Sequence, residues 1–240
     1  MPKKFLGRQA NLNYSEKIYG RRKGRPLRSH RKELFERLQP ALEISPAEVK
    51  IKATTEAPLW VEIGFGAGEH LLWQAKNNPD VQFIGSEVFV NGVAGLVSRI
   101  SEDSIQNICL WSEDGRLLID HLPDQTVEKF FILFPDPWPK SRHKKRRIIS
   151  PSLLRDLGRV IKPNGILRIA SDISDYQYEI LSVVLSNGSF RWAARQPRDW
   201  RRRPPDWPET RYELKAKAAG RSCAYFSFER CDLSQKQQSF

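Results

Sequence analysis

Residues 130–147, FFILFPDPWPKSRHKKRR, gather the side chains best placed to do chemistry. One acid, Asp136, stands between Pro135 and Pro137, Pro139 follows, and six Lys or Arg occupy the eight residues 140–147. Proline fixes φ and withdraws backbone donors, so this segment cannot continue as helix or central strand, and its side chains are held in one pose. An apolar strand that ends this way delivers a fixed carboxylate beside a cationic surface. A strand end running into a solvated basic loop is the plainer account of the basic run alone.

Further acids recur where apolar runs stop. EIGFGAGE (62–69) closes one run with Gly64, Gly66 and Gly68, residues that permit a tight turn and close approach of a ligand to backbone. The G-x-G-x-G spacing departs from the G-x-G-x-x-G of nicotinamide sites, and Glu62 and Glu69 flank it. Two carboxylates repel a pyrophosphate but suit a ligand bearing an amine and a sulfonium, which points to S-adenosylmethionine. Glu87, 19 residues after Gly68, is placed to accept from a ribose diol, and Asp114 from an adenine amine. Asp172 adds another acid of this kind. Each alone also reads as a helix cap or a solvated turn.

Such a row of acids requires a parallel sheet to carry it. Strands are expected at 59–64, 81–88, 106–114, 127–134 and 165–172, separated by helical stretches, with Pro163-Asn164-Gly165 stopping the fourth of these helices. FRWAAR (190–195) and CAYFSFER (223–230) add an antiparallel closing pair. The expected fold is therefore α/β, a doubly wound, mostly parallel sheet of about seven strands. Ligands bind such sheets beyond the carboxyl ends of the strands. Residues 1–40 read as a basic arm, partly disordered, that starts flexible around Gly20, Gly24 and Pro26 and turns helical near Ser29. Residues 41–58 read as a linker, and 59–240 as the main domain.

The net charge of +12 is uneven: residues 1–37 carry +9, leaving +3 for the other 203. A block of cations on one segment implies a polyanion, with nucleic acid first and an anionic membrane surface disfavoured by the lack of a sustained apolar face. No apolar stretch approaches the roughly 18 residues of a membrane span and the first residues lack a signal peptide's centre, so a cytoplasmic location is expected. Cys109, Cys223 and Cys231 form no C-x-x-C pair, which argues against disulfide, zinc or other metal and for buried free thiols. Trp192, Trp200 and Trp207 interleave with five arginines from Arg195 to Arg203. That stretch either stacks on unpaired bases or is a loop pinned by its tryptophans.

EIGFGAGE, GSEV, FPDPWPKSRHKKRR, ASD and ETRYE (209–213) together resemble the bacterial tRNA (guanine-N7-)-methyltransferases, from the basic arm to the C terminus. The resemblance implies a Rossmann-like methyltransferase sheet and methyl transfer from S-adenosylmethionine to guanine at position 46 of the tRNA variable loop. It implies cofactor contacts at Glu62, Glu87, Asp114 and Asp136, a catalytic role for Asp136, and tRNA contacts at Lys140, Asp172, Thr210, Arg211, Tyr212 and Glu213. Ser86 and Gly115 depart from the family's usual residues without removing a functional group.

Guanine N7 has an in-plane lone pair and no proton to lose, so its alkylation needs alignment more than a base. Asp136 is accordingly expected to position the reactants and offset positive charge on the purine. Lys140, Arg142, His143, Lys144, Lys145, Arg146 and Arg147 are expected to hold phosphates, which positions the RNA without specifying it. Glu213 is expected to accept from the guanine N1–H and amino group. A nucleic-acid-binding protein with idle acids, and then a nicotinamide dehydrogenase, are the alternatives. A monomer or homodimer without an obligatory partner is expected.

Overall fold

In the computed structural model, which describes residue 20 and residues 22–231, the alternation becomes one seven-stranded sheet. Its strands are β1 Leu59–Ile63, β2 Gln82–Ser86, β3 Ile108–Trp111, β4 Val127–Leu133, β5 Ile161–Ser171, β6 Phe190–Trp192 and β7 Ala224–Arg230. The helices are α1 Ser29–Leu42, α2 Pro46–Ala53, α3 Glu69–Asn77, α4 Val90–Glu102, α5 Gly115–His121, α6 Pro151–Val160, α7 Ser174–Asn187, α8 Arg198–Arg201 and α9 Arg211–Ala218. Strand order is β3-β2-β1-β4-β5-β7-β6, with β1 to β5 parallel and β7 antiparallel to both neighbours. The chain winds outward from β1 to β3 and, on the other side, from β4 to β5. A crevice therefore opens where β1 and β4 end side by side.

Strand alternation splits the core into two layers. Val61, Ile63, Phe130 and Ile132 face one layer; Trp60 and Phe131 face the other. In α6, Leu153, Leu154, Leu157 and Val160 recur at helical spacing and are buried against the first layer, while Pro151 opens the helix and Ser150 Oγ accepts from Leu153 N at 3.3 Å. Each such leucine contributes roughly 1.5–3 kcal/mol by burial, and Leu154→Ala would cost about 2–5 kcal/mol.

Three expectations are corrected. Residues 41–58 are not a bare linker, because they hold the end of α1 and all of α2. Ser45 and Glu48 form a capping box around Pro46, and Val49 and Ala53 are buried facing α5. Ahead of α2, Glu43 accepts from Ser112 N and Oγ at 2.8 and 2.6 Å and Ile44 N donates to Leu110 O at 2.9 Å, which covers the open edge of β3. Pro163-Asn164-Gly165 does not stop a helix: α6 ends at Val160, and the tripeptide forms an irregularity in β5, with pairing that jumps from Val127–Ile161 to Lys129–Ile166 and Asn164 left-handed at φ 63°. The cysteines are free but only partly buried. Residues 1–19 and 21 of the basic arm lie outside the described residues, as do 232–240.

Candidate functional site

A cavity of about 490 Å³ occupies the crevice, and four successive strands deliver a residue to it: Gly64 and Gly66 after β1, Glu87 after β2, Asp114 after β3 and Asp136 after β4. Gly64 and Gly66 have φ of 72° and 60°, where a side chain is strained, and a Cβ placed on Gly64 would meet nothing within 4 Å. The backbone of this turn is thus open to a ligand. Glu87 ties the turn to β2, its two oxygens accepting from Gly66 N and Phe89 N at 2.8 Å each. Burial raises the Glu87 pKa against the opposing pull of those hydrogen bonds. Asp114 caps α5 by accepting from Arg116 N at 2.9 Å and pairs with the Arg116 guanidinium at 2.7 Å. Asp114 thus caps α5 and also lines the cavity wall.

The proline corner is held under strain. Phe134 and Trp138 have φ of 49° and 41°, a left-handed conformation that costs a bulky residue roughly 1–2 kcal/mol. Arg147 secures the corner from behind. Its Nε donates to the Pro137 carbonyl at 2.7 Å, its other nitrogens donate to Asp175 at 2.6 Å and to Glu179, and the guanidinium lies 4.5 Å over the Tyr176 ring. Asp136 then stands at the cavity mouth, open to solvent on one side, while the protein around it raises its pKa by burial.

The basic run therefore divides. Arg147 has no exposed side-chain surface and is a structural strut, contrary to its expected role in holding phosphate. Lys144 pairs with Asp175 at 2.8 Å, Arg146 lies 4.9 Å over the Trp138 ring, and His143 meets that ring edge-on at 5.9 Å. Burial, then the neighbouring Arg146, Arg142 and Lys140, lower the His143 pKa. Lys140, Arg142 and Lys145 face solvent, and Lys145 also borders the cavity.

Several expected site residues do not reach this cavity. Glu62 lies inside β1 rather than at its end, so the pleat turns it to the sheet face opposite Ile63. It is 3% exposed and accepts from His70 Nδ1 at 2.7 Å; His70 Nε2 accepts from Gln74 Nε2 at 3.1 Å, and Gln74 also donates to Asp206 O at 2.7 Å. Glu69 pairs with Arg211. The carboxylates flanking the glycine turn thus face protein partners. Gly68 starts α3, where a Cβ would lie 2.7 Å from Leu96. Asp172 does not cap α7 but pairs with Arg221 at 2.7 Å.

The run Thr210–Glu213 is split as well. Thr210 caps α9 by accepting from Glu213 N at 3.3 Å. Glu213, 2% exposed, lies 3.3 Å from Arg203 and 3.1 Å from Lys217 and borders a second cavity of about 620 Å³ with Trp207 and Tyr225. Only Tyr212 reaches the first cavity. Its ring is parallel to that of Phe134, with centroids 6.4 Å apart and planes 12° apart. Burial raises the Tyr212 pKa, and the nearby charges of Glu87 and Asp136 push it the same way. The tryptophans pack inward: Trp192 and Trp200 each lie 6.2 Å from Phe226, and Trp207 meets His70 and Tyr225. The pinned-loop reading of that stretch holds for the tryptophans.

Sequence reasoning missed two features. Phe134 and Trp138 line the cavity, and their positive φ leaves no composition signal. The arm also straps onto α4: Val90 N donates to Arg22 O at 3.0 Å, Gly24 N to Asn91 Oδ1 at 2.8 Å, and Asn91 Nδ2 to Arg25 O at 2.7 Å, which brings Gly20 to the cavity rim. Gly24, read as flexible, sits where a Cβ would come within 2.8 Å of Asn91 Oδ1. Among the described residues no helix is long and apolar enough to cross a membrane, and no group of three or more His, Cys, Asp or Glu is arranged to hold a metal ion.

A family model described as "Putative methyltransferase" matches residues 56–225. The chain is 47% identical over 223 residues to a tRNA (guanine-N(7)-)-methyltransferase of Rhodospirillum rubrum, covering 89% of this chain and 88% of that protein. It is 41% identical over 225 residues to the same enzyme of Roseobacter denitrificans, covering 89% and 95%. Among solved structures, the 16S rRNA methyltransferase KamB matches with a TM-score of 0.56 at 14% identity, over 79% of this chain and 95% of that one. An antibiotic-related methyltransferase matches at 0.53 and 16% identity, over 78% and 95%. At such identities the structural likeness shows the fold alone.

Proposed function

The chain belongs to the tRNA (guanine-N(7)-)-methyltransferase family, and we propose that it methylates N7 of the guanine at position 46 in the variable loop of tRNA, with S-adenosylmethionine as methyl donor. The observation that carries this reading is the meeting of Gly64, Gly66, Glu87, Asp114 and Asp136 in one cavity at the switch point of the sheet. The residues fit that cofactor: the cavity of about 490 Å³ lies within the usual range for a small-molecule site, the Gly64 backbone is bare, and the Glu87 carboxylate on the wall is held in place by backbone N–H groups. When bound, the cofactor supplies a methyl group on a positively charged sulfonium.

In this reading Glu87 binds a ribose diol and Asp114 an adenine amine, while the turn at Gly64–Gly66 lets backbone approach the remaining part. Glu62 acts from behind the turn, through its bond to His70. Asp136 faces the purine and offsets the positive charge that N7 alkylation places on the ring; no proton leaves N7, so no base is required. Lys140, Arg142 and Lys145 hold the RNA backbone at the cavity mouth. The same reading has the enzyme act in the cytoplasm, as a monomer or homodimer.

Purified protein incubated with unmethylated tRNA and methyl-labelled S-adenosylmethionine tests it. Label in 7-methylguanosine mapped to the variable loop is the expected result. Label in another nucleoside overturns the guanine-N7 assignment, and tRNA binding without transfer overturns the enzyme.

A further inference from the structure

His70 and Gln74 stand four residues apart on α3, so their side chains leave the helix on one face, and both are buried. His70 Nδ1 meets Glu62 at 2.7 Å, His70 Nε2 meets Gln74 Nε2 at 3.1 Å, and Gln74 Nε2 donates to the Asp206 carbonyl at 2.7 Å. A carbonyl can only accept, so the Gln74 atom that faces it is the nitrogen, and its second hydrogen goes to His70. His70 Nε2 therefore accepts, and the ring proton sits on Nδ1, donated to Glu62. The rings of Phe131 and Trp207 pack against the imidazole, with centroids 4.8 and 5.4 Å away, and hold its orientation. The two ends of this network reach different parts of the site. Glu62 and His70 flank the turn of Gly64, Gly66 and Gly68, all three left-handed, and their bond clasps that turn from behind. Asp206 and Trp207 belong to the segment that leads into α9, which carries Tyr212 to the cavity wall.

We propose that His70 is a positioning residue with two separable tasks. Its Nδ1, through Glu62, holds the glycine turn in the shape that receives the cofactor; its Nε2, through Gln74, holds the segment before α9 and with it the wall on the tRNA side of the cavity. Three left-handed glycines have more freedom to lose than any other residues, so a turn already clasped spares that cost when the cofactor binds. His70 lines neither cavity, and it acts only through the residues it holds. The inference rests on the proposed cofactor and tRNA reading and adds a residue that joins the two halves of the site.

Three variants separate the tasks, read by the dissociation constant for S-adenosylhomocysteine without tRNA and by kcat and KM for tRNA. Asn carries a nitrogen at the reach of Nδ1 and Gln an oxygen at the reach of Nε2, so His70→Asn keeps the bond to Glu62 and His70→Gln the bond to Gln74. His70→Gln should weaken S-adenosylhomocysteine binding about tenfold, because a buried carboxylate loses its donor, while His70→Asn should stay within about threefold. Gln74→Met keeps the volume and should raise KM for tRNA about fivefold, with S-adenosylhomocysteine affinity within about twofold. Equal losses of S-adenosylhomocysteine affinity in the two His70 variants overturn the proposal by making His70 a core side chain only, and an unchanged KM for tRNA in Gln74→Met overturns it as well. Nitrogen NMR of the imidazole rings in the parent protein needs no variant to fold: a His70 proton on Nδ1 alone is expected, and a proton on Nε2 overturns the network. Because S-adenosylhomocysteine binding is read without tRNA, a parent enzyme that labels no guanine fails the proposed function while the split between the His70 variants still supports or overturns the clasp.

Discussion

The buried guanidinium of Arg147 is bonded to the carbonyl of Pro137, Nε to O at 2.7 Å, across the turn that carries Asp136. Three prolines remove backbone donors from that turn, so a side chain supplies the hydrogen bond that the backbone cannot. Asp175 and Glu179 on α7 balance the charge. The corner is thereby fastened to α7 as well as to β4.

Removing Arg147 should therefore act on stability first. Arg147→Met leaves the Pro137 carbonyl unpaired and two acids facing each other, a loss of about 3 kcal/mol in denaturant unfolding. Turnover should fall as well, because the turn that fixes Asp136 loosens. Unchanged unfolding midpoints would show that the corner holds itself.

Asp136 should reveal its charge through pH. Burial raises its pKa in the folded protein above the ordinary value of about 3.9. A carboxyl shifted this way contributes its stability below the unfolded pKa and loses it as pH rises through the folded pKa. Asp136→Asn, which cannot ionise, should melt higher than the parent at pH 7 and lose that margin near pH 4 or below, about the unfolded pKa. If Asp136 offsets charge on the purine as proposed, the variant's turnover at saturating tRNA should drop about tenfold or more. Near-normal turnover would sink the charge role.

Salt should separate the two classes of cation in the basic run. A variant with Lys140, Arg142 and Lys145 all changed to Ala should bind tRNA with a salt slope shallower by roughly two to three, at about 0.7–0.9 for each phosphate no longer neutralised. Arg147→Met should leave the slope unchanged, since that side chain has no exposed surface. Equal slopes in both variants would place the phosphates elsewhere.

Asn91 holds the arm with one acceptor and one donor, so Asn91→Ala removes both bonds to Gly24 and Arg25. Amide exchange at Gly24 should quicken about fivefold, the equivalent of a bond contributing roughly 1 kcal/mol. Global unfolding should barely shift, because the core lies elsewhere. Protection that survives the substitution would mean that the Val90–Arg22 bond alone secures the strap.

The βαβ order was legible because apolar runs, glycine turns and helix stops are local, and a parallel sheet is what such an alternation can bury. Acids just past strand ends, Glu87, Asp114 and Asp136, were legible for the same reason: topology sends every such position to one edge of the sheet. Sequence adjacency misled where a single residue of register decides the outcome. Glu62 and Ile63 are neighbours, yet the pleat sends Ile63 to the cavity and Glu62 to His70. Arg146 and Arg147 look alike in a basic run, yet one lies over Trp138 and the other is buried beneath Pro137. The capping box at Ser45 and Glu48 was readable but lay in a stretch without apolar periodicity. The pairing of Phe134 with Tyr212 was not readable at all, because 78 residues separate them and only the packing of α9 on the glycine turn brings the rings together. Composition and pattern determined the fold and the row of strand-end acids. Tertiary packing decided which charges line the cavity and which meet protein, since the partner of a side chain is set by segments that lie far apart in the chain.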